Sequence, residues 1–281
     1  MILYLFARLL RFLFRHVPQK PMYALALVVG DLLYLGWRRA RRNAQENMRR
    51  ALGPGATQQQ VNSAARNNFR NYIRWCAEFL RGHDGVLGRV NIHGLDNIDM
   101  ALADGKGVIV VTLHMGSVEA AAITVARSKY PMNVVVDKVI NDRVNRWIQR
   151  VRVKFGLKVI AAKREAMPSL IKSLRRNEVL AMLIDCPHFG NIKVKFCGAR
   201  AKVPGGPAAL ALRTGARIVP AAMVRTKGNR FTTYFDKPLN FEPTGDFASD
   251  VQALTQKIMD SMEQTVRSYP DQWFMFRRIW V

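Results

Sequence analysis

The chain has 281 residues, of which 44 are lysine or arginine and 20 are aspartate or glutamate, so its formal net charge at pH 7 is +24. Its hydrophobic content of 49% excludes a disordered chain, and three cysteines are an odd and sparse count for a disulfide-stapled secreted scaffold. We therefore expect the thiols to be reduced and the bulk of the chain to face the cytoplasm. A charge of this size requires an anionic partner, and the candidates are nucleic acid, an anionic membrane and an acidic carrier protein.

The first 42 residues combine apolar runs with arginine. Met1–Phe14 is interrupted only by arginines, and Arg8, Arg11 and Arg15 recur at spacings that share one helical face. A second apolar run over 22–37 ends in a basic cluster, Arg38, Arg39, Arg41 and Arg42. Each run is shorter than the ~20 residues that a spanning helix needs. The pattern predicts membrane-associated helices of a monotopic or once-spanning protein; two amphipathic core helices are the alternative.

Beyond the N-terminus the pattern is first helical and then alternating. Residues 43–81 are predicted to be helical, with a break at 53–55. The predicted strands are 107–113, 134–137, 157–161, 178–184, about 217–223 and 230–235. The predicted helices run from the first strand to about 127 and over 142–155, 166–176, 204–213 and 250–268. This rhythm predicts an α/β fold with a mainly parallel central sheet flanked by helices. We divide the chain into anchoring helices (1–42) and one domain (43–281).

Ligand chemistry in such sheets gathers at the carboxyl ends of the strands, which directs attention to His114. Glu119 follows five residues later, and residues at this spacing do not share a helix face. We therefore expect His114 on the turn before the helix and Glu119 within its first turns. His114 would remove a proton from a nucleophile, while Glu119 would hold the imidazole tautomer and stabilise its cation. The alternative is a surface histidine and a glutamate that interacts with the helix dipole.

The backbone amides of Gly116 and Ser117 lie near the predicted helix start. Developing negative charge is favoured at such a position. We therefore expect these two residues to face the substrate.

Several ordered motifs resemble one family over nearly the whole chain. The His-x-Gly-x-x-Glu segment after an apolar strand resembles the H-x4-D/E motif of the bacterial acyltransferases that complete lipid A, which are related to those that acylate phosphatidylinositol mannosides. Further counterparts of family motifs are Asn141, Arg152 to Gly156, Asp185, 196–201, 204–208, 212–216, Gln272-Trp273 and Arg277 to Trp280. The chain departs from the family pattern at Ser117-Val118, at Asp137-Lys138 and at Cys186.

The resemblance implies a glycerolipid-acyltransferase-like fold and transfer of a fatty acyl chain to a hydroxyl of a glycolipid such as a lipid A precursor. It implies an acyl-carrier-protein or coenzyme A thioester as donor, the cytoplasmic face of the bacterial inner membrane as location, and no metal or cofactor. A phosphatidylinositol mannoside or an aminolipid is the alternative acceptor.

The resemblance also implies roles for individual residues. His114 and Glu119 correspond to the catalytic pair. Arg152 and Asp185 correspond to residues that the family requires for activity, and we expect both of them to contact the substrate. We also expect Gly205 and Gly206, in the small-residue turn, to contact the substrate. Without the resemblance, the sequence favours a solvent-exposed charge on a helix for Arg152. For Asp185 it leaves open a helix cap or a partner in an ion pair.

Other readings of the chain have weaker support. A nucleic-acid-binding protein would lack any helix-turn-helix, zinc or aromatic RNA-binding signature, so we expect no nucleic acid. A further alternative is a lipid-binding protein in which the pair His114 and Glu119 is inactive. Asp185 to His188 with Cys197 match no familiar zinc spacing. Arg175-Arg176 and Lys163-Arg164 are predicted to form solvated basic surfaces that an acidic carrier could meet.

Overall fold

A seven-stranded sheet organises the chain, which the computed structural model describes over residues 2–82, 84–137 and 142–281. Lys138 and Asn141, which the motif comparison used, lie outside these residues. The strands of the sheet are β1 (Val90–His93), β2 (Val108–Thr112), β3 (Met132–Val136), β4 (Lys158–Ala161), β5 (Val179–Leu183), β8 (Arg217–Arg225) and β9 (Phe231–Phe235). A separate hairpin is formed by β6 (Ile192–Phe196) and β7 (Ala199–Val203).

The strand order is β1-β9-β8-β2-β5-β3-β4, and the run from β8 to β4 is parallel throughout. Strand β9 pairs antiparallel with β8, and β1 pairs parallel with β9, so one edge of the sheet runs the other way. The predicted mainly parallel sheet is therefore confirmed. Thr112 at the end of β2 is the register partner of Leu183 at the end of β5, so the residues that follow these strands meet at one edge.

Apolar side chains cover both faces of the central strand. Ile109 and Val111 of β2 face a core shared with α9 (Met167–Arg175), α10 (Gly206–Thr214) and α11 (Phe247–Ser268). Val108 and Val110 face a second core with α6 (Asp96–Leu102) and α7 (Val118–Ser128). Helix α8 (Asp142–Lys154) leads into β4. Burial on both faces explains why the β2 sequence is almost uniformly apolar.

Five helices come before the first strand of the sheet in the sequence. They are α1 (Ile2–His16), α2 (Gln19–Gly36), α3 (Arg38–Leu52), α4 (Gln58–Arg81) and the short α5 (Asp84–Leu87). Helix α2 packs closely along α4: Met22 and Ala26 are buried, and a Cβ at Gly30 would lie 2.7 Å from the Cα of Arg70. The boundary drawn at residue 42 falls inside α3. None of the helices in the described ranges is long and apolar enough to cross a bilayer.

Among the elements given above, β1, α5, α6 and the β6–β7 hairpin were not predicted. The hairpin turn is the two-residue loop Cys197-Gly198, with φ of +48° and +75°. Two positive φ values are typical of the tight turns that suit the twist of paired strands. Alternating polar and apolar residues on both sides of this Gly-containing pair were the available indication in the sequence.

Candidate active site

His114 lies two residues beyond β2, and its imidazole hydrogen-bonds to Asp185, which lies two residues beyond β5. Nδ1 of His114 is 2.7 Å from Oδ1 of Asp185, and the backbone N–H of His114 donates to Oδ2 at 2.9 Å. The indole Nε1–H of Trp273 donates to the same Oδ2 at 2.9 Å. The Asp185 side chain is fully buried, whereas 41% of the His114 side chain is exposed. The carboxylate therefore fixes the ring with Nδ1 inward.

The two pKa values follow from this contact. Burial by the surrounding protein would lower the pKa of His114, but the charge of Asp185 and the hydrogen bond to it outweigh burial, so the pKa is raised. Burial would conversely raise the pKa of Asp185, but the interactions with His114 and Trp273 lower it. An ionised carboxylate only accepts hydrogen bonds, so Nδ1 of neutral His114 carries the proton and Nε2 the free lone pair. His114 is thus a stronger base than an ordinary histidine.

Glu119 is buried in the first turn of α7 and pairs with Arg152. Nε of Arg152 donates to Oε1 of Glu119 at 2.8 Å, and Nη2 of Arg152 donates to the same oxygen. This contact corrects the prediction that Glu119 holds the imidazole tautomer, because that hydrogen bond belongs to Asp185 at the end of the neighbouring strand. It also corrects the solvated alternative for Arg152, whose side chain is only 16% exposed. The charge of Glu119 still helps to raise the pKa of His114, so the two groups are close.

The turn between β2 and α7 requires glycine at position 116. Gly116 has φ of +58°, and a Cβ there would lie 2.0 Å from the carbonyl oxygen of Met223. Its N–H donates to the carbonyl of Gln272 at 3.2 Å, so the predicted role of this amide in stabilising negative charge is not supported. Ser117 is fully buried, and its Oγ has no hydrogen-bond partner within the described ranges. The Ser117 hydroxyl is therefore a buried polar group at the start of α7 whose hydrogen-bonding capacity is unused among the described residues.

Gly205 and Gly206 lie where the chain enters α10. The N–H of Gly205 donates to Oδ1 of Asn191 at 2.8 Å, and a Cβ at Gly205 would lie 2.6 Å from Cγ1 of Ile192. The small size of Gly205 lets the start of β6 pack against the start of α10. In the part of the chain that the structure describes, no hydrogen bond joins either glycine to His114, so their predicted contact with substrate stays a prediction.

Four aromatic side chains lie beside the hydrogen-bonded pair His114 and Asp185, the dyad of this site. The backbone N–H of Phe274 donates to the carbonyl of His114 at 2.7 Å, and the Phe274 ring lies 6.2 Å from the ring of Trp75. Trp75 lies 6.3 Å from Phe79, which packs edge-on against Trp147 of α8. The four rings form an apolar surface that extends from the dyad between α4 and α8. A hydrocarbon chain could pack against such a surface.

The thiol next to Asp185 is a poor nucleophile and a poor metal ligand. His114, Asp185 and Cys186 each place one ligand-type atom within 4.8 Å of the others. Burial, followed by the charge of Asp185, raises the pKa of Cys186 to about 12, so the sulfur is protonated near neutral pH. Both Asp185 oxygens already accept hydrogen bonds. The chemistry of this donor set suits a hydrogen-bonded base better than a metal centre.

A cationic group from the C-terminal segment lies near His114. Nη1 of Arg277 is 3.0 Å from Nδ1 of His188, whose Nε2 is 2.9 Å from Oδ2 of Asp137. The charge of Arg277 acts to lower the pKa of His114, opposing the effect of Asp185. Arg277 and His188 were not among the predicted site residues; only the C-terminal motif pointed to Arg277.

Comparisons with known proteins show which protein family the chain resembles. Residues 1–281 match the family model described as bacterial lipid A biosynthesis acyltransferase. The chain is similar to phosphatidylinositol mannoside acyltransferase of Mycobacterium tuberculosis, with 26% identity over 254 residues, which cover 84% of this chain and 76% of that protein. It is also similar to the protein of the same name from Mycolicibacterium smegmatis, with 24% identity over 227 residues, 77% of this chain and 72% of the relative.

Proposed function

The chain belongs to the bacterial lipid A biosynthesis acyltransferase family, and we propose that it transfers a fatty acyl chain from an acyl-carrier-protein or coenzyme A thioester to a hydroxyl of a glycolipid at a membrane surface. The observation that carries this proposal is the hydrogen bond between His114 and the buried Asp185, which leaves one imidazole nitrogen as an accessible base. It occurs at the carboxyl edge, where sheets of this kind bind ligands.

The dyad performs the transfer in two proton movements. Nε2 of His114 takes the proton of the acceptor hydroxyl as the oxygen forms a bond to the thioester carbonyl carbon. Asp185 stabilises the resulting imidazolium through Nδ1–H. When the tetrahedral intermediate collapses, the carbon–sulfur bond breaks, and the imidazolium returns its proton to the leaving sulfur. The products are a glycolipid ester and a free thiol.

Glu119 and Arg152 act on the substrate in this proposal. Oε1 of Glu119 accepts from Arg152, while its Oε2 is buried with no hydrogen-bond partner within the described ranges. A buried, unpartnered carboxylate oxygen is costly unless a ligand donates to it. We therefore assign Glu119 to a hydroxyl of the glycolipid, with Arg152 holding the carboxylate in place.

Exposed apolar stripes on the first two helices support a membrane-bound location. Leu25, Val28, Leu32 and Leu35 recur at helical spacing along α2 and are 50–63% exposed. On α1, Leu9, Phe12 and Leu13 are also exposed, as are the nearby basic residues Arg8, Arg15, Arg38, Arg39 and Arg42. Apolar stripes beside cations are typical of helices that lie in the interface of an anionic bilayer. The proposed location is the cytoplasmic face of the bacterial inner membrane.

The proposed acceptor is a glycolipid such as a lipid A precursor. A phosphatidylinositol mannoside type of acceptor is the second candidate, and the relatives named phosphatidylinositol mannoside acyltransferases favour it. Both acceptors offer sugar hydroxyls to the same base. Arg277 provides a cation near the dyad that either phosphorylated head group could contact.

The function is tested by offering a radiolabelled acyl thioester and total bacterial lipid extract to the purified protein, with mass spectrometry of the product. We expect a new ester on a glycolipid, absent with the H114A variant. No lipid ester from any thioester would contradict the proposal.

The location has its own test. Leu32→Ser with Leu35→Ser should reduce binding to vesicles of anionic lipid, whereas high salt alone should release little of the unaltered protein because apolar burial is not screened. Complete release by salt would contradict apolar anchoring. Deleting residues 1–42 is unsuitable here, since Met22 and Ala26 are buried against the rest of the fold.

A further inference from the structure

The outward face of the β6–β7 hairpin consists of cations. The exposed positions of the two strands are Lys193 and Lys195 on β6 and Arg200 and Lys202 on β7. The register places Lys193 opposite Lys202 and Lys195 opposite Arg200. Like charges directly opposite each other destabilise a strand pair. The hairpin therefore carries two unfavourable cross-strand pairs in the unbound protein.

The fold itself gives no reason for these cations. Lysines often protect an open strand edge, but the free edge of β6 is already covered. Gln256 donates to the carbonyl and accepts from the N–H of Lys195, and Gln252 donates to the carbonyl of Lys193. Ion pairs do not relieve the repulsion either: within residues 2–82, 84–137 and 142–281, none of the four cations pairs with a carboxylate. Asp260 is the acidic residue in the adjoining groove.

The hairpin contacts the His114–Asp185 pair through Trp273. On its inner face, the Phe196 ring packs 5.7 Å from that of Trp273, whose indole donates to Asp185. At its open end, the carbonyl of Lys202 lies so close to Gly190 that a Cβ there would be 2.9 Å away. Gly190 ends the short helical turn that follows Asp185 and Cys186. The Lys193–Lys202 pair is therefore on the active-site side of the sheet.

We propose that this basic hairpin face, Lys193, Lys195, Arg200 and Lys202, docks an acidic protein that carries the acyl thioester. The inference rests on the proposed function, because it assigns the surface that receives the donor. Arg175-Arg176, the surface predicted from the sequence for such a carrier, ends α9 just before β5 begins. That position is at the amino edge of the sheet, opposite His114, and is thus less suitable for delivery.

The geometry favours a protein over a small anion or a bilayer. Cross-strand neighbours lie about 5 Å apart and alternate residues along a strand about 7 Å apart, so the four charges spread over a surface instead of converging on one phosphate. Carboxylates one turn apart on a helix, about 5–6 Å, match this spacing. The apolar side chains of the hairpin point inward, with Val194, Phe196, Ala201 and Val203 all buried, whereas the exposed apolar stripes belong to α1 and α2.

Reversing charge on one strand alone tests the proposal without weakening the fold. In the K193E/K195E variant both cross-strand pairs become opposite-charged, so thermal stability should be unchanged or higher than in the unaltered protein. With the acyl chain on an acidic acyl carrier protein, kcat/KM should fall about tenfold or more, mainly through slower association. With the same chain on an uncharged N-acetylcysteamine thioester, kcat/KM should change less than about twofold. The matched control is R175E/R176E, which makes the same charge change at the opposite edge and should leave the carrier-dependent rate near normal.

A binding measurement separates this inference from the proposed function. The Kd of the acyl carrier protein for the H114A protein, measured by titration without turnover, should rise about tenfold when K193E/K195E is added. This result would stand even if no acyl transfer were found. The docking proposal is overturned if carrier binding is unchanged in K193E/K195E, if R175E/R176E has the larger effect, or if the coenzyme A thioester loses as much rate as the carrier thioester. It is also overturned if the variant loses binding to vesicles of anionic lipid while keeping its affinity for the carrier.

Discussion

Two buried carboxylates at the carboxyl edge of the sheet have similar sets of partners, but the basic partner of one is exposed to solvent and that of the other is buried. Asp185, beyond β5, accepts from His114 and from the indole of Trp273. Glu78, on α4, accepts from both terminal nitrogens of Arg225, at 2.8 and 2.9 Å, and from the hydroxyl of Tyr23. Each carboxylate thus joins one basic side chain and one aromatic donor.

The basic partners determine what each cluster can do. The Arg225 side chain is 8% exposed, and although burial would lower its pKa, the charge of Glu78 raises it, so this cation does not give up its proton. The His114 side chain is 41% exposed, and its imidazole, whose pKa Asp185 raises, can take up and release a proton. The sealed cluster, Glu78 with Tyr23 and Arg225, joins α2, α4 and β8. The open cluster, Asp185 with His114 and Trp273, can exchange a proton with a substrate. The adjacent residues Gln272 and Trp273 each serve one cluster, since Gln272 bonds to both backbone groups of Arg225.

The largest expected effect is on catalysis at the open cluster. His114→Ala should lower kcat by about 10²–10⁴-fold, the usual loss when a general base is removed, while circular dichroism and the thermal midpoint stay near those of the unaltered protein. His93→Ala, which removes a histidine stacked on Tyr234 at the distant sheet edge, is the matched control. A folded H114A protein with a near-normal rate would remove His114 from the mechanism.

The sealed cluster should show the opposite pattern. Glu78→Gln leaves Arg225 buried without its carboxylate, and we expect the free energy of unfolding to fall by about 3–5 kcal/mol in urea titrations. The activity of the remaining folded protein should be largely retained. Asp31→Asn, at a partly exposed carboxylate paired with Arg66 and Arg70, should cost about 1 kcal/mol or less. Equal losses for the two variants would show that burial of the Glu78 pair is unimportant.

Local pattern was enough to predict most of the sheet but not the contacts within the site. The strands of the parallel run were predicted to within about two residues at most ends, because each contains a short apolar run, which in β2 and β8 is buried almost throughout. His114 and Asp185 were both expected at the carboxyl edge, yet the partner of His114 was taken to be its neighbour in sequence, Glu119. The true partner depends on which strands are adjacent, and sequence periodicity does not specify strand order. Trp273 reaches Asp185 from 88 residues away.

The pH dependence of turnover gives a smaller but more specific test of the open cluster. His114 must be neutral to act as a base, so activity should be lost as the pH falls through its raised pKa. Asp185→Asn removes the charge that raises this pKa, so the acid limb of the kcat/KM profile should move to lower pH even as the rate at every pH decreases. An acid limb that stays in place in D185N would assign the titration to another group.

Glu119 should affect the acceptor more than the proton transfer. Glu119→Gln keeps the shape of the side chain but removes the charge that pairs with Arg152, and we expect a higher KM for the glycolipid with a smaller fall in kcat. Because Glu119 contributes to the raised pKa of His114 less than Asp185 does, its removal should move the acid limb to lower pH by less than D185N does. A large loss of kcat with an unchanged acceptor KM would instead support the role first predicted for Glu119, as a partner of the imidazole.

The smallest changes compare the two clusters one hydrogen bond at a time. Trp273→Phe and Tyr23→Phe each remove one aromatic donor from a buried carboxylate while keeping a ring in place. A hydrogen bond to a charged group contributes about 1.5–3 kcal/mol, so both variants should unfold at lower urea concentration by similar amounts. Only Trp273→Phe should also lower kcat, by a few fold, because Asp185 is then held less firmly against His114. Tyr23→Phe should leave kcat unchanged per folded molecule, since Glu78 keeps both contacts to Arg225 and has no part in the reaction. If Tyr23→Phe lowers kcat as much as Trp273→Phe does, the two clusters are coupled through the Gln272–Trp273 segment, and the division into a sealed structural pair and an open catalytic pair fails.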